Sequence, residues 1–233
     1  MKLIIPLIKS KWCEEIKFAL RSWDKYYTQD LDVFILGDYK PDWLTNVEHI
    51  SIKPNGFNTE QNIALAFKYA ADNFDEFIWS NDDIYLLDYL TYDDLKVPYY
   101  LQDLSGIKNR KANRWGKLLW KTVDRLIEDD KTLMNGETHT PYYYESNKVN
   151  QIFERYGIDN GDGLLRTAYL NNFYTIDEMF DIKDKKAGFY NQRKIEKGET
   201  NGKIFLNHDD NGLCDDVKLL LSLRFPNKSK YEK

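Results

Sequence analysis

The chain has 233 residues, 33 of them basic and 38 acidic, for a net charge of -5. A hydrophobic content of 42%, with 17 Tyr, 12 Phe and 6 Trp, excludes a disordered chain and predicts a sizeable core. The acidic balance, at a pI near 5.4, argues against a protein that binds nucleic acid by general phosphate attraction.

The first half alternates apolar runs with amphipathic stretches, the pattern of strands joined by crossover helices. Leu3 to Ile8 reads as a buried strand; Pro6 and the following Lys9 and Lys11 make it too short for a membrane span. No signal-peptide cleavage pattern follows it, so a cytoplasmic protein with no transmembrane segment is expected. Trp12, Ile16, Ala19, Leu20 and Trp23 recur at helical spacing, and Asp32 to Asp38 and His49 to Ile52 read as two further strands. Asn58 or Thr59 can cap a helix running to about Asn73, with Ile63, Ala64, Ala66, Phe67 and Ala70 inward. Glu76 to Ser80 is a strand that runs directly into Asn81-Asp82-Asp83.

The second half is more helical. Helices are expected over Trp115–Glu128, from Ser146 toward Tyr156, and over Gly163 to about Phe173 with Asp162 as cap. Lys183 to Lys203 reads as a long surface loop or flap, Lys203 to Leu206 as a strand and Asp215 to Leu223 as a final helix. No repeat or Gly/Ser linker divides the chain, so a single domain over 1–233 is expected. Its fold class is α/β: an open, mostly parallel Rossmann-like or GT-A-like sheet flanked by helices, with a helical C-terminal half. Cys13 and Cys214 give neither a disulfide framework nor a zinc knuckle.

The strongest chemical signal is the carboxylate pair Asp82 and Asp83 at the carboxyl end of a strand, where open α/β sheets bind ligands. Oxygen ligands there suit Mg²⁺ or Mn²⁺ shared with a nucleotide diphosphate; a plain turn ending the strand is the alternative. Asn207-His-Asp-Asp210 repeats that design, so the two strand ends are expected to converge on one ion. His139, in a loop before Pro141, is the candidate proton-transfer group, against an exposed or structural role. Arg21 and Arg166 offer forks for phosphate oxygens, with surface ion pairs as the alternative. The run Tyr142-Tyr-Tyr144 can stack on a sugar ring or simply pack. No P-loop, G-x-G-x-x-G or G-x-S-x-G motif occurs.

Taken in order, Ala19-Leu-Arg-Ser22, Asp38, Pro41-Asp-Trp-Leu44, Gly56-Phe-Asn-Thr59 and Phe77-Ile-Trp-Ser-Asn-Asp-Asp83 resemble a conserved region of the Stealth family. These are hexose-1-phosphate transferases of capsule synthesis, related to GlcNAc-1-phosphotransferase. His139-Thr-Pro141 with Arg166, then Ile204 to Asp210 and Arg224 to Glu232, resemble later regions of that family. The family's opening strand, which ends in an acidic residue, is replaced by Ile4-Ile-Pro-Leu-Ile-Lys9.

The resemblance implies a Mg²⁺-dependent attack by a glycan acceptor hydroxyl on the sugar-linked phosphorus of a nucleotide-sugar donor, releasing UMP. It assigns Asp82, Asp83 and Asp210 to metal or diphosphate, His139 to proton transfer and Arg166 to a phosphate clamp. Arg21, Asn58, Asn81 and Asn207 fall around the nucleotide or substrate, with residues 1–100 as the nucleotide- and metal-binding half and 101–233 on the acceptor side. Gly56 to Asp83, with Asn62 on its helix, is also similar to GT-A glycosyltransferases, which release UDP. A carbohydrate-binding relative without activity is the third alternative.

Overall fold

The computed structural model describes residues 1–8, 14–53, 59–110, 113–190, 195–196, 198–209 and 211–233. In chain order the elements begin with β1 (Lys2–Pro6), α1 (Glu15–Tyr26), β2 (Asp32–Gly37) and β3 (Glu48–Ser51). There follow α2 (Thr59–Asn73), β4 (Glu76–Trp79), β5 (Ile84–Leu86), α3 (Tyr92–Leu95), β6 (Tyr99–Tyr100) and β7 (Gln102–Asp103). Next come α4 (Arg114–Glu128), β8 (Met134–Asn135), β9 (Tyr142–Glu145), α5 (Ser146–Tyr156) and α6 (Leu165–Phe173). The chain closes with β10 (Phe180–Asp181), β11 (Lys186–Phe189), β12 (Phe205–His208) and α7 (Asp215–Arg224).

The main sheet has the order β3-β2-β1-β4-β9, parallel except where β9 runs antiparallel to β4. This is the expected α/β architecture, a mostly parallel sheet flanked by helices. Side chains alternate across β1, and the two faces bury different layers. Leu3 and Ile5 pack with Ile16, Ala19, Leu20 and Trp23 of α1. Ile4 on the other face joins Ala64, Phe67 and Ala70 of α2 and Val149, Ile152 and Phe153 of α5. Helical spacing in α1 and α2 therefore reports a real buried stripe.

A second sheet, β11-β12-β5, pairs β12 parallel with β11 and antiparallel with β5. Two strands, one in each sheet, come from segments not expected to be strands, so the C-terminal half is less helical than the sequence suggests. β11 lies inside the expected Lys183–Lys203 flap, and β9 is the Tyr142–Tyr144 run. Tyr142, Tyr143 and Tyr144 are all buried, although Tyr144 also lines a cleft and Tyr143 a groove at the amino end of β4. Helix α6 starts at Leu165 without a side-chain cap. The expected cap, Asp162, instead pairs with Lys121 at 2.6 Å, while Thr122 Oγ1 accepts from the Leu164 amide at 2.9 Å.

Candidate functional site

The carboxyl ends of β4 and β12 meet. Register pairs Asn207 with Ile84, so the turn Asn81-Asp82-Asp83 and the Asn207-His208-Asp209 segment lie side by side. The expected convergence of the two strand ends is present. Asp210 and Asn58, both expected near the ligand, lie outside the described residues.

His139 reaches the same point from a third segment. Its Nε2 lies 3.3 Å from Asp83 Oδ2 and 3.3 Å from Asn81 Nδ2, and its Nδ1 lies 2.8 Å from Asn207 Nδ2. Asn81 is oriented by Trp79 Nε1, which donates to its Oδ1 at 3.2 Å. Nε2 thus has an acceptor in Asp83 when it carries hydrogen and a donor in Asn81 when it does not. The Tyr190 hydroxyl sits 3.2 Å from Asn207 Oδ1 and 3.1 Å from its Nδ2. It can serve either orientation of that amide, so both tautomers of His139 keep a full set of partners.

The turn carrying His139 is strained and firmly held. His139 has φ +53°, a left-handed conformation that costs a non-glycine residue roughly 1–3 kcal/mol and clusters at functional sites. Arg166 Nη1 donates to Thr138 Oγ1 at 3.0 Å and its Nη2 to the Thr140 carbonyl at 2.7 Å. Lys186 Nζ donates to the Thr138 carbonyl at 2.6 Å. Glu137 Oε1 accepts from both the amide and the hydroxyl of Thr167, each at 3.0 Å. Gly136 permits this close approach, because a Cβ there would stand 2.7 Å from the Arg166 carbonyl oxygen. Arg166 therefore positions the histidine turn while also lining the cleft.

That cleft has a volume of about 660 Å³. Its lining includes the polar Asn81, Glu137, His139, Arg166, Lys186 and Tyr190 and the apolar Ile63, Phe67, Leu101, Trp115 and Leu164. Phe67 and Trp79 stack at 3.5 Å between ring centroids beneath it. Burial, reinforced by the charges of Lys186 and Arg166, pushes the His139 pKa down to about 4 against a weaker opposing pull from Asp209. Its imidazole is neutral near pH 7. Burial and the Arg166 charge push Lys186 down to about 8, with Asp83 opposing.

The donor set bears on a divalent ion. Asp82 and Asp83 can give at most two carboxylates, and among the described residues no group of three or more His, Cys, Asp or Glu could enclose a metal. Neither residue is among those lining the cleft, so a Mg²⁺ or Mn²⁺ ion would take these two carboxylates from the turn beside it and its other ligands from phosphate oxygens and water.

Arg21 is elsewhere. Its Nε and Nη2 meet the two carboxylate oxygens of Glu232 at 2.7 and 2.8 Å, and its Nη1 donates to the Phe225 carbonyl at 2.8 Å. Both side chains are nearly buried, at 10% and 4% exposure. This forked pair fastens the C-terminal segment to α1, and Arg21 is absent from the cleft lining. Sequence reasoning also missed Lys186 and Tyr190. The period-2 alternation of Ala187 and Phe189 marks a strand whose other face carries Lys186, Gly188 and Tyr190, all three in the cleft wall.

A larger open groove, about 1010 Å³, lies at the amino end of β4 and involves Asp72, Glu76, Tyr143 and Glu145. Its central carboxylate, Glu76, accepts from the hydroxyls of Tyr92 and Tyr143, both at 2.7 Å. The smaller cleft gathers the proton-transfer and cationic groups, and is the candidate site on that ground. Among the described residues no helix is long and apolar enough to cross a membrane. No family model matches the chain, and no curated protein matches it.

Proposed function

We propose that the protein is a nucleotide-sugar-dependent transferase that moves a hexose-1-phosphate from a UDP-sugar to a glycan hydroxyl, in the cytoplasm, during synthesis or modification of a surface polysaccharide. The observation that supports this reading is His139 Nε2 standing between Asp83 Oδ2 and Asn81 Nδ2, in a cleft that also holds Arg166 and Lys186. A neutral imidazole beside two cations is a base next to an anion receptor, the pairing that attack of a hydroxyl on phosphorus requires.

In the proposed step, the acceptor oxygen forms a bond to the sugar-linked phosphorus, and the anhydride bond between the two phosphorus centres breaks. The hydroxyl proton passes to His139 Nε2, and UMP leaves with the electron pair of the broken bond. Asp83 then accepts from the protonated Nε2, while Asn207 holds the ring through Nδ1. Arg166 keeps the Thr138–Thr140 turn in place and faces the donor phosphates. Asp82 and Asp83 would hold Mg²⁺ or Mn²⁺, which supplies charge neutralisation on the diphosphate when bound.

A second reading, glycosyl transfer with release of UDP, draws on the same acidic turn at the end of β4 in a mostly parallel sheet. Incubation with UDP-GlcNAc, Mg²⁺ and a saccharide acceptor separates the two: UMP supports phosphotransfer and UDP supports glycosyl transfer. Neither product from a panel of donors overturns both. A melting shift with UDP-sugars but no turnover would point to a carbohydrate-binding relative without activity.

A further inference from the structure

We propose that Lys186 is the anion-binding residue of the cleft and fixes the direction of the ligand, with the phosphate groups at β11 and an uncharged ring against Trp115, Leu101 and Ile63. The transferase reading supplies only the identity of the anion; the site itself follows from geometry. Lys186 stands on β11, on the half-buried face opposite the buried Ala187 and Phe189, and its Nζ is anchored by the Thr138 carbonyl at 2.6 Å and the Tyr190 hydroxyl at 3.1 Å. Neither hydrogen-bond partner is charged, and the one carboxylate that acts on the ammonium, Asp83, is outweighed by burial and the Arg166 charge. Arg166, the second cation of the cleft wall, is likewise bonded to Thr138 and to the Thr140 carbonyl. Glu137 is the carboxylate of the same lining, and its Oε1 is engaged by the Thr167 amide and hydroxyl; the two cations, held by neutral oxygens, form a receptor for a multiply charged anion.

The same cleft also presents exposed apolar side chains. Trp115, Leu101 and Ile63 are 38%, 42% and 37% exposed and all line the cleft. A ligand filling both halves therefore carries its charge at one end and a flat or apolar-faced ring at the other. Lys186 also becomes a positioning residue for His139, because the Thr138 carbonyl it binds is in the peptide immediately before the histidine.

The test is titration calorimetry of the full chain with inorganic pyrophosphate and, separately, with UMP, in EDTA so that no metal contributes. Lys186→Gln keeps a donor for the Thr138 carbonyl but removes the charge, and should weaken both ligands at least tenfold with an unchanged melting temperature. Lys186→Arg should restore most of the pyrophosphate affinity. Trp115→Ala should weaken UMP severalfold and leave pyrophosphate unaltered, whereas Lys230→Met, at an exposed side chain of the C-terminal segment, should alter neither. Wild-type protein that fails to bind pyrophosphate, or a Lys186→Gln variant that binds it normally, overturns the proposal. Equal losses of UMP and pyrophosphate in Trp115→Ala overturn the assigned direction. These outcomes are independent of UMP release in the transfer assay, so the site and the reaction can fail separately.

Discussion

At the amino end of β4, Glu76 accepts hydrogen bonds from two tyrosine hydroxyls, whereas at the carboxyl end Asp83 faces the His139 ring at 3.3 Å. Burial pushes the Glu76 carboxyl up, yet the bonds from Tyr143 and Tyr92 outweigh it and hold the group below its ordinary value. His139 and Lys186 are instead both driven toward their neutral forms by burial and neighbouring cations. One end of the sheet has satisfied its charge internally. The other is arranged to gain charge when an anion arrives, and only the second can drive proton transfer.

The largest expected effect separates the two ends by activity. His139→Gln should lower UMP release by about 10²–10⁴-fold, the usual contribution of a general base, while Glu76→Gln leaves it unchanged. Similar losses in both variants would erase the contrast. Next in size is stability at the carboxyl end. Arg166→Met leaves the buried Thr138 and Thr140 oxygens without their guanidinium donor, and should cost about 2–4 kcal/mol in urea denaturation. A cost well under that range would mean that Lys186 and Glu137 hold the turn unaided.

Tyr143→Phe at the amino end should cost less, about 1 kcal/mol, because Glu76 keeps its bond from Tyr92. The remaining effects are in pH dependence, and they occupy successive windows. With a folded pKa near 4 against an ordinary 6.5, His139 leaves the unfolded chain holding more protons between those values. Stability therefore falls as pH drops from 6.5 to 4, and His139→Gln should flatten that decline. Glu76 is depressed, so its contribution is present above the ordinary value of 4.5 and is lost as pH falls through the lower folded value. Tyr143→Phe should shrink that later loss. Melting curves across the two windows check both; an unchanged slope between pH 6.5 and 4 in His139→Gln would show that the ring is not held neutral.

The sequence revealed helices buried on one face and strands buried on both. α1, α2 and α4 show helical spacing, and β1, β2 and β4 read as apolar runs because a central parallel strand is covered on both faces. β9 escaped because three consecutive buried tyrosines have no alternation. β11 escaped because Lys185, Lys186 and Gly188 look like a solvated loop, although Ala187 and Phe189 are buried. That the ends of β4 and β12 lie side by side, with Asn207 paired to Ile84, was legible in the repeated strand-to-acidic-turn design. The Arg21–Glu232 pair was not, since its partners lie 211 residues apart and short-range patterns carry no information about such contacts.

β12 lies between β11 and β5, and the Tyr85–His208 hydrogen bond across that pairing spans 123 residues. Closing so long a loop is slow and late in folding. A nascent chain that has completed β1 to β4 still lacks Asn207, and so cannot fix the His139 ring. An opening that peels β12 from β5 would likewise dismantle the cleft while the main sheet survives. Ligand affinity is then a sensitive reporter of that partial unfolding, and hydrogen exchange in β5 and β12 should slow on ligand binding before any change appears in β1 or β2.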